Sequence, residues 1–329
     1  MADMTKRERV KAALAGETVD RVPVSFWRHW PGDDQKPASL ALVALDFQRH
    51  YDLDFIKVPV SSVYCVEDYG VTHTYRGSHM GDREYLERVI QRVEDWDRIK
   101  PLDVHKGCYG WHLHALRMII DQKEKDTPII FTMFNPLAMA AYLAGDENLF
   151  VHLRSEPHRV LRALEALAET SARFVRAALD EGCDGIFLST RFASYELMNE
   201  DEYRQFGRTG DLAVLAAASE GGWFNVLHLH GQHPMFIPLS DYPVQAVNWH
   251  DRTTWPGLAE AGKLVPHALM GGVEQYKTLH LGSPDDVKAQ VRNAIQQTQG
   301  RRLIVTTGCT YPLDVPHCNL LATRQAVEG

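Results

Sequence analysis

Cysteine is scarce in this 329-residue chain: Cys65, Cys108, Cys183, Cys309 and Cys318 are odd in number, widely spaced and form no C-x-x-C pair. That usage argues against a disulfide framework and suits reduced thiols. No apolar run approaches the length of a membrane span, and the charged opening "MADMTKRERVKAALAGE" has no signal-peptide core. A cytoplasmic protein without membrane contact is therefore expected. Positive charge is also in short supply, with 35 Lys and Arg against 43 Asp and Glu, a net charge of -8. The basic residues are scattered, whereas nucleic acids and anionic membranes call for a basic face, so neither is an expected partner. G-x-G-x-x-G and P-loop motifs are missing, which leaves nucleotide binding without support. Linkers, low-complexity segments and recognisable repeats are missing as well, and one domain over 1–329 is expected.

What the chain does have is a full complement of core-forming residues, 45% hydrophobic beside 24% charged, and disorder is excluded. Short β-rich runs recur: "RVPVSF" (21–26), "FIKVPV" (55–60), "PIIFTMF" (128–134), "DGIFLS" (184–189), "FNVLHLH" (224–230), "QAVNWH" (245–250), "ALMGGV" (268–273) and "RLIVTTG" (302–308). Helical stretches lie between them. "SEPHRVLRALEALAETSARFVRAALDEG" has apolar residues three and four apart and stops at Gly182. "SPDDVKAQVRNAIQQTQG" offers Ser283 as N-cap, Pro284 at the first helical position, two acids in the first turn and Gly300 as a stop. "NEDEYRQFGRTGDLAVLAAASEGG" supplies a helix before the fifth run. Eight strand–helix alternations predict a (β/α)8 TIM barrel preceded by an N-terminal helix. Segment 61–127 is too long for one crossover, and the spacing predicts helices or a hairpin there, at the mouth of the barrel.

In such a barrel function sits at the carboxyl ends of the strands. The candidates there are Arg28, Ser61, Asn135, Ser189, His228, His230, His250, Glu274 and Cys309. Among them "LHLHGQHP" (227–234) stands out. Alternation along a strand puts His228 and His230 on one face and Leu227 and Leu229 on the other. Leucines belong under helices, so the imidazoles point into the barrel, spaced as an H-x-H metal pair. Cys309, ending the last run, is the best third ligand. Two imidazoles and a thiolate suit zinc, and three protein ligands leave a position open for substrate or water. The competing reading is plain: 16 histidines make H-x-H common by chance, and buried histidines are often hydrogen-bonded core residues. His233 reads as a loop residue, and "YPLDVP" (311–316) as a turn before a helix starting near His317.

The opening helix with "DRVPV" (20–24), "NPLAMAAYLAG" (135–145), "SEPHRVLRAL", "DEGCDGIFLS" and "TTGCTYPLDVPHCNLLA" together resemble the uroporphyrinogen decarboxylase superfamily, in its order and over nearly the whole chain. The resemblance implies a single (β/α)8 barrel. Arg28, Tyr142 and Ser189 match substrate-gripping positions of the true decarboxylases. However, Gly32 stands near the place of a second arginine, no aspartate follows "FIKVPVSS", and Cys309 takes the place of a late histidine. Without the central carboxylate a porphyrinogen substrate is not expected.

The other branch, zinc- and cobamide-dependent methyltransferases, is similar in having H-x-C on strand five and a cysteine ending strand eight. Here the pair is H-x-H, and the departure lies at His230. This branch implies a zinc enzyme that transfers methyl between a corrinoid, supplied in trans by a separate protein, and a thiol or a methylated small molecule. His228, His230 and Cys309 would bind metal, with Glu274 a candidate fourth ligand. Tyr142, Ser189 and Arg28 would act on substrate, and Asn135 and His250 would line the cofactor side. A homodimer is compatible with this reading. The rival readings are a metal-free decarboxylase or lyase, with Arg28 clamping a smaller carboxylate and Tyr142 or His228 as acid, and a non-enzymatic corrinoid or porphyrin carrier.

Overall fold

The strand periodicity of two is resolved into two apolar clusters on opposite faces of one parallel sheet, seen in a computed structural model that describes residues 3–328. The sheet has seven strands, neighbours in chain order: β1 (Ile56–Val58), β4 (Ile129–Phe134), β5 (Gly185–Thr190), β6 (Val226–Leu229), β7 (Ala246–Trp249), β8 (Ala268–Val273) and β9 (Leu303–Thr307). A separate antiparallel hairpin, β2 (Thr72–Thr74) with β3 (Glu84–Glu87), occupies the long segment after β1, as the spacing predicts.

Parallel pairing demands a crossover at each step, and helices supply most of them. Among the helices, α1 (Lys6–Ala15) starts with a Thr5–Glu8 capping box, and α2 (Pro37–His50) precedes β1. Short α3 (Tyr64–Glu67) and long α4 (Gly107–Gln122) flank the hairpin. Then come α5 (Pro136–Ala144), α6 (Asp146–Ser155), α7 (Pro157–Asp180), α8 (Glu200–Tyr203) and α9 (Thr209–Ser219), the last two joined through a π-helical turn at Arg204–Arg208. The final three are α10 (Leu258–Leu264), α11 (Pro284–Thr298) and α12 (His317–Gln325). Helix α11 begins at the expected Ser283 cap, closed into a box by Asp286.

The outer face of the sheet, including Ile56, Val58, Leu188, Leu227, Leu229 and Val305, packs under the helices. The inner face gathers Phe55, Ile130, Phe187, Val226, Ala246, Ala268, Met270 and Ile304 into one cluster with Trp27 and with Val10 and Ala13 of α1. Phe55, just before β1, packs at 5.0 Å against Phe224, just before β6 three strands away, so the sheet is curled, and α1 plugs its amino-terminal end.

Eight strands were expected and seven are regular. Segment 21–26 makes only an isolated parallel bridge, Val24 to Val305. Val305 N donates to Pro23 O (2.8 Å), Ser25 N to Val305 O (3.1 Å), and on the other side Asp54 N donates to Val24 O (2.9 Å). The stretch thus touches both edges of the sheet. Pro23 has no N–H to donate, which limits the ladder this segment can build.

Candidate metal centre

Because Val226 and Phe187 face inward, so do the residues two positions on, and period two carries His228, Asn248 and Lys57 to the same inner face, nearer the carboxyl ends of the strands. His228 lies on β6 in parallel register with Ser189 of β5 and Asn248 of β7. His230 follows just beyond β6, and Cys309 just beyond β9.

Cys309 Sγ is 3.6 Å from His228 Nε2 and 3.7 Å from His230 Nδ1, and the three ligand atoms lie within 4.8 Å of one another. A tetrahedral zinc with bonds of about 2.3 Å to sulfur and about 2.0–2.1 Å to nitrogen sets those S···N separations at about 3.6 Å. The donor set and its spacing fit such an ion.

The tautomer of His228 follows from its neighbour. Asn248 Nδ2 donates to Met270 O (2.9 Å) and Thr307 O (3.1 Å), which turns its amide oxygen toward His228 Nδ1 at 2.6 Å. That oxygen can only accept, so Nδ1 carries the proton and the Nε2 lone pair faces Cys309. Burial alone would raise the Cys309 thiol, but His228 and His230 beside it more than offset this and hold it well below the ordinary thiol range. Asn248→Leu is expected to weaken metal binding about 10–100-fold while the fold is kept, as loss of an orienting hydrogen bond does elsewhere. Competition with a chromophoric chelator measures it.

The triad borders a cavity of about 400 Å³ whose lining includes Tyr142, Ser189, Lys57, Tyr85, Arg191 and Phe187. Tyr142, on α5, stacks on Tyr85 of the hairpin at 5.8 Å, and Arg191 pairs with Asp146. Tyr142 and Ser189 therefore come together with the triad.

Five other expected residues do not, the first being Ser61, which is buried and accepts from Val63 N. Arg28 donates to Leu313 O, lays its guanidinium 3.9 Å over Trp30, and lines a separate outer groove with Phe47 and Tyr51. Asn135 caps α5 at Ala138 N and donates to Asp211 and Tyr203, so its amide is committed to structure. Glu274 accepts from the backbone N–H groups of Tyr276, Lys277 and Thr278, a turn that engages both oxygens, and it lines neither the cavity nor the triad. His250 sits behind the triad, its ring 5.5 Å from that of His230 and its Nδ1 bonded to Gln275; burial pushes it down to about 4, so it is neutral.

Two residues of the site went unread in the sequence. Asn248 stands two before His250 in "QAVNWH", the lumen-facing spacing that singled out His228 from His230. Lys57 is the lone cation of "FIKVPV", buried over the rings of Trp27 (4.9 Å) and Phe187 (4.5 Å). Burial pushes its amine down to about 7, partly opposed by Cys309.

A curled parallel α/β sheet with a histidine–histidine–cysteine constellation at the carboxyl ends of its strands defines an α/β enzyme scaffold with a candidate metal centre. Residues 5–329 match the family described as uroporphyrinogen decarboxylase (URO-D), and the chain belongs to that family. It is 25% identical to methylcobamide:CoM methyltransferase MtbA of Methanosarcina mazei, over 97% of this chain and 96% of that protein. It is 22% identical to methylcobamide:CoM methyltransferase MtaA of Methanosarcina barkeri, over 94% and 93%. A solved methyltransferase from Methanosarcina mazei superposes with a TM-score of 0.87 at 22% identity, covering 99% of both chains, which shows a shared fold.

Proposed function

We propose that the protein is a zinc-dependent methyltransferase that moves a methyl group from a corrinoid, presented by a separate protein, to the sulfur of a small thiol. The observation that carries this reading is the S···N spacing of 3.6 and 3.7 Å at the mouth of the cavity. The names of the relatives favour it over decarboxylation, as does the position of Arg28, which as an anion clamp would have to face the cavity. We further read segment 21–26 as the first strand of an eight-stranded barrel forming one domain.

His228, His230 and Cys309 would hold the ion. When bound, zinc would supply a Lewis acid that keeps a thiol sulfur ionised at neutral pH. One thiolate and two neutral imidazoles leave the centre more positive than a set with two thiolates would, and the acceptor thiol is correspondingly easier to ionise there. Asn248 keeps the His228 proton on Nδ1, away from the site. Phe187, Phe134 and Trp27 exclude water from the cavity wall, and Tyr142 and Ser189 orient the acceptor.

Three cations line the wall; Arg83 and Arg191 are paired with Asp34 and Asp146, whereas Lys57 has no carboxylate paired with it among the described residues. It suits an acceptor with an anionic tail, the thiol at the triad and the tail toward Nζ. Lys57→Met is expected to raise KM for an anionic thiol about tenfold, the loss of a single charged hydrogen bond, with a smaller change in kcat. A neutral thiol of equal length should show no such penalty.

The reaction itself is tested by mixing the zinc-loaded protein with methylcobalamin and a small anionic thiol and following the cobalt spectrum. Loss of the methyl-Co(III) form and appearance of Co(I), stopped by chelation, is the expected result. Turnover indifferent to chelation, or decarboxylation of uroporphyrinogen, would overturn the reading.

A further inference from the structure

Three loops of the mouth converge away from the inner triad. His79 belongs to the loop between β2 and β3, His280 to the loop between β8 and α11, and Asp314 to the loop between β9 and α12. His79 Nε2 lies 2.5 Å, and His280 Nε2 3.1 Å, from the same carboxylate oxygen, Asp314 Oδ1. The two imidazole rings are 5.2 Å apart at 55°. All three potential donor atoms fall within 4.8 Å of one another. The backbone reinforces the junction, since Leu313 N donates to His79 O at 2.9 Å. A Cβ added at Gly81, two residues on and at φ +84°, would strike His29 and crowd Leu313, so the loop is held close against its neighbours.

We propose that His79, His280 and Asp314 form a second, sulfur-free site for a divalent transition metal at the rim of the cavity. Two imidazole nitrogens and one carboxylate oxygen are a donor set for zinc, cobalt or nickel, and nitrogen donors select these ions over magnesium and calcium. Bonds of about 2.0–2.1 Å around a tetrahedral ion separate such donors by roughly 3.3 Å, so the two contacts to Asp314 need to lengthen by less than an ångström, and the two imidazole nitrogens, within 4.8 Å of each other, need to close by at most about 1.5 Å. His280 is the sheltered member, 18% exposed against 55% for His79 and 62% for Asp314, and the outer side is open to water as a remaining ligand.

The consequence is mechanical. The loop bearing His79 continues into Asp82, Arg83 and Tyr85, which line the inner cavity. A metal at the rim would staple this hairpin to the loops after β8 and β9, and so fix the wall that the acceptor and the corrinoid must pass.

The experiment is a titration of the metal-free full-length protein with Co(II), read by absorption and by bound equivalents after desalting. Wild type is expected to bind an equivalent with a thiolate-to-cobalt band in the near ultraviolet and a further equivalent without one. His280→Gln and Asp314→Ala should each lose the second and keep the first; Cys309→Ser should lose the band and keep the second. Equal binding by wild type and His280→Gln, or a sulfur-free equivalent held no more tightly than by unrelated surface histidines, would overturn the rim site. Absence of the charge-transfer band alone would count against the inner centre and leave the rim site standing, so the two can fail separately.

Discussion

Cys309→Ala, and separately His228→Ala combined with His230→Ala, should abolish the thiolate-to-cobalt band of the inner centre and lower methyl transfer roughly a hundred- to a thousand-fold. Several kcal/mol of Lewis-acid stabilisation, at about 1.4 kcal/mol per factor of ten, sets that scale. The reason is geometric. With Cys309 gone the two imidazoles span a single edge of the coordination sphere, with both imidazoles gone the thiolate is a lone donor, and Glu274, held by three backbone N–H groups, is no substitute. The fold should survive, since all three residues lie at the carboxyl ends of strands, above the inner apolar cluster. Alkylation offers an internal comparison. Cys318 is exposed while Cys65, Cys108 and Cys183 are buried. In metal-loaded protein Cys318 should label and Cys309 should not; chelation should release Cys309. Full retention of the cobalt band in the double histidine variant would defeat the assignment.

How far the site could be read beforehand depended on which rule governed each residue. His228 and His230 were legible because strand alternation is a strict rule, and the packing of Leu227 and Leu229 under helices follows from it. Cys309 was legible because it closes a strand. Arg28, Asn135 and Glu274 were placed by the weaker rule that residues at strand ends face the mouth. One residue beyond a strand alternation can still hold, as at His230, or yield to local chemistry. Asn135 found the free N–H of Ala138 at the start of α5, Glu274 found a tight turn, and the Arg28 guanidinium found the face of Trp30. Lys57 was hidden for the opposite reason: it shares the inner face with Phe55 by strict alternation, but a lone lysine in an apolar run carries no local sign of the cavity it enters. The seven regular strands were visible as apolar runs. The shape of segment 21–26 was not, because its contacts are made to residues 54–55 and 305, which no local pattern reveals.

That segment is held by charge more than by a ladder, and this leads to the largest expected loss of stability. Asp54 is fully buried and its carboxylate accepts from Arg9 Nη1 (2.8 Å), from Arg21 Nη1 and Nη2 (2.6 and 3.0 Å) and from Val24 N (2.8 Å). Arg9 belongs to α1, which plugs the sheet; Arg21 and Val24 belong to the segment that bridges its two edges. Asp54→Ala would leave the Val24 N–H unpaired and Arg21 without its carboxylate partner, while Arg9 keeps Asp20 at 2.6 Å. Breaking a buried pair from one side costs about 3–5 kcal/mol, because the surviving charge stays in a poor solvent. The expected result is a fall of that size in the unfolding free energy measured in urea, with Asp54→Asn intermediate because it keeps one acceptor oxygen for Val24 N. Cobalt binding at the triad should weaken in parallel, since Val305 of β9 is bonded to Pro23 and Ser25 and Cys309 follows β9 directly. A loss below about 1 kcal/mol, the range of an exposed ion pair, would mean that the segment closes on the sheet without this carboxylate, and that the apolar packing of Val22, Val24 and Phe26 against the outer cluster suffices to hold it.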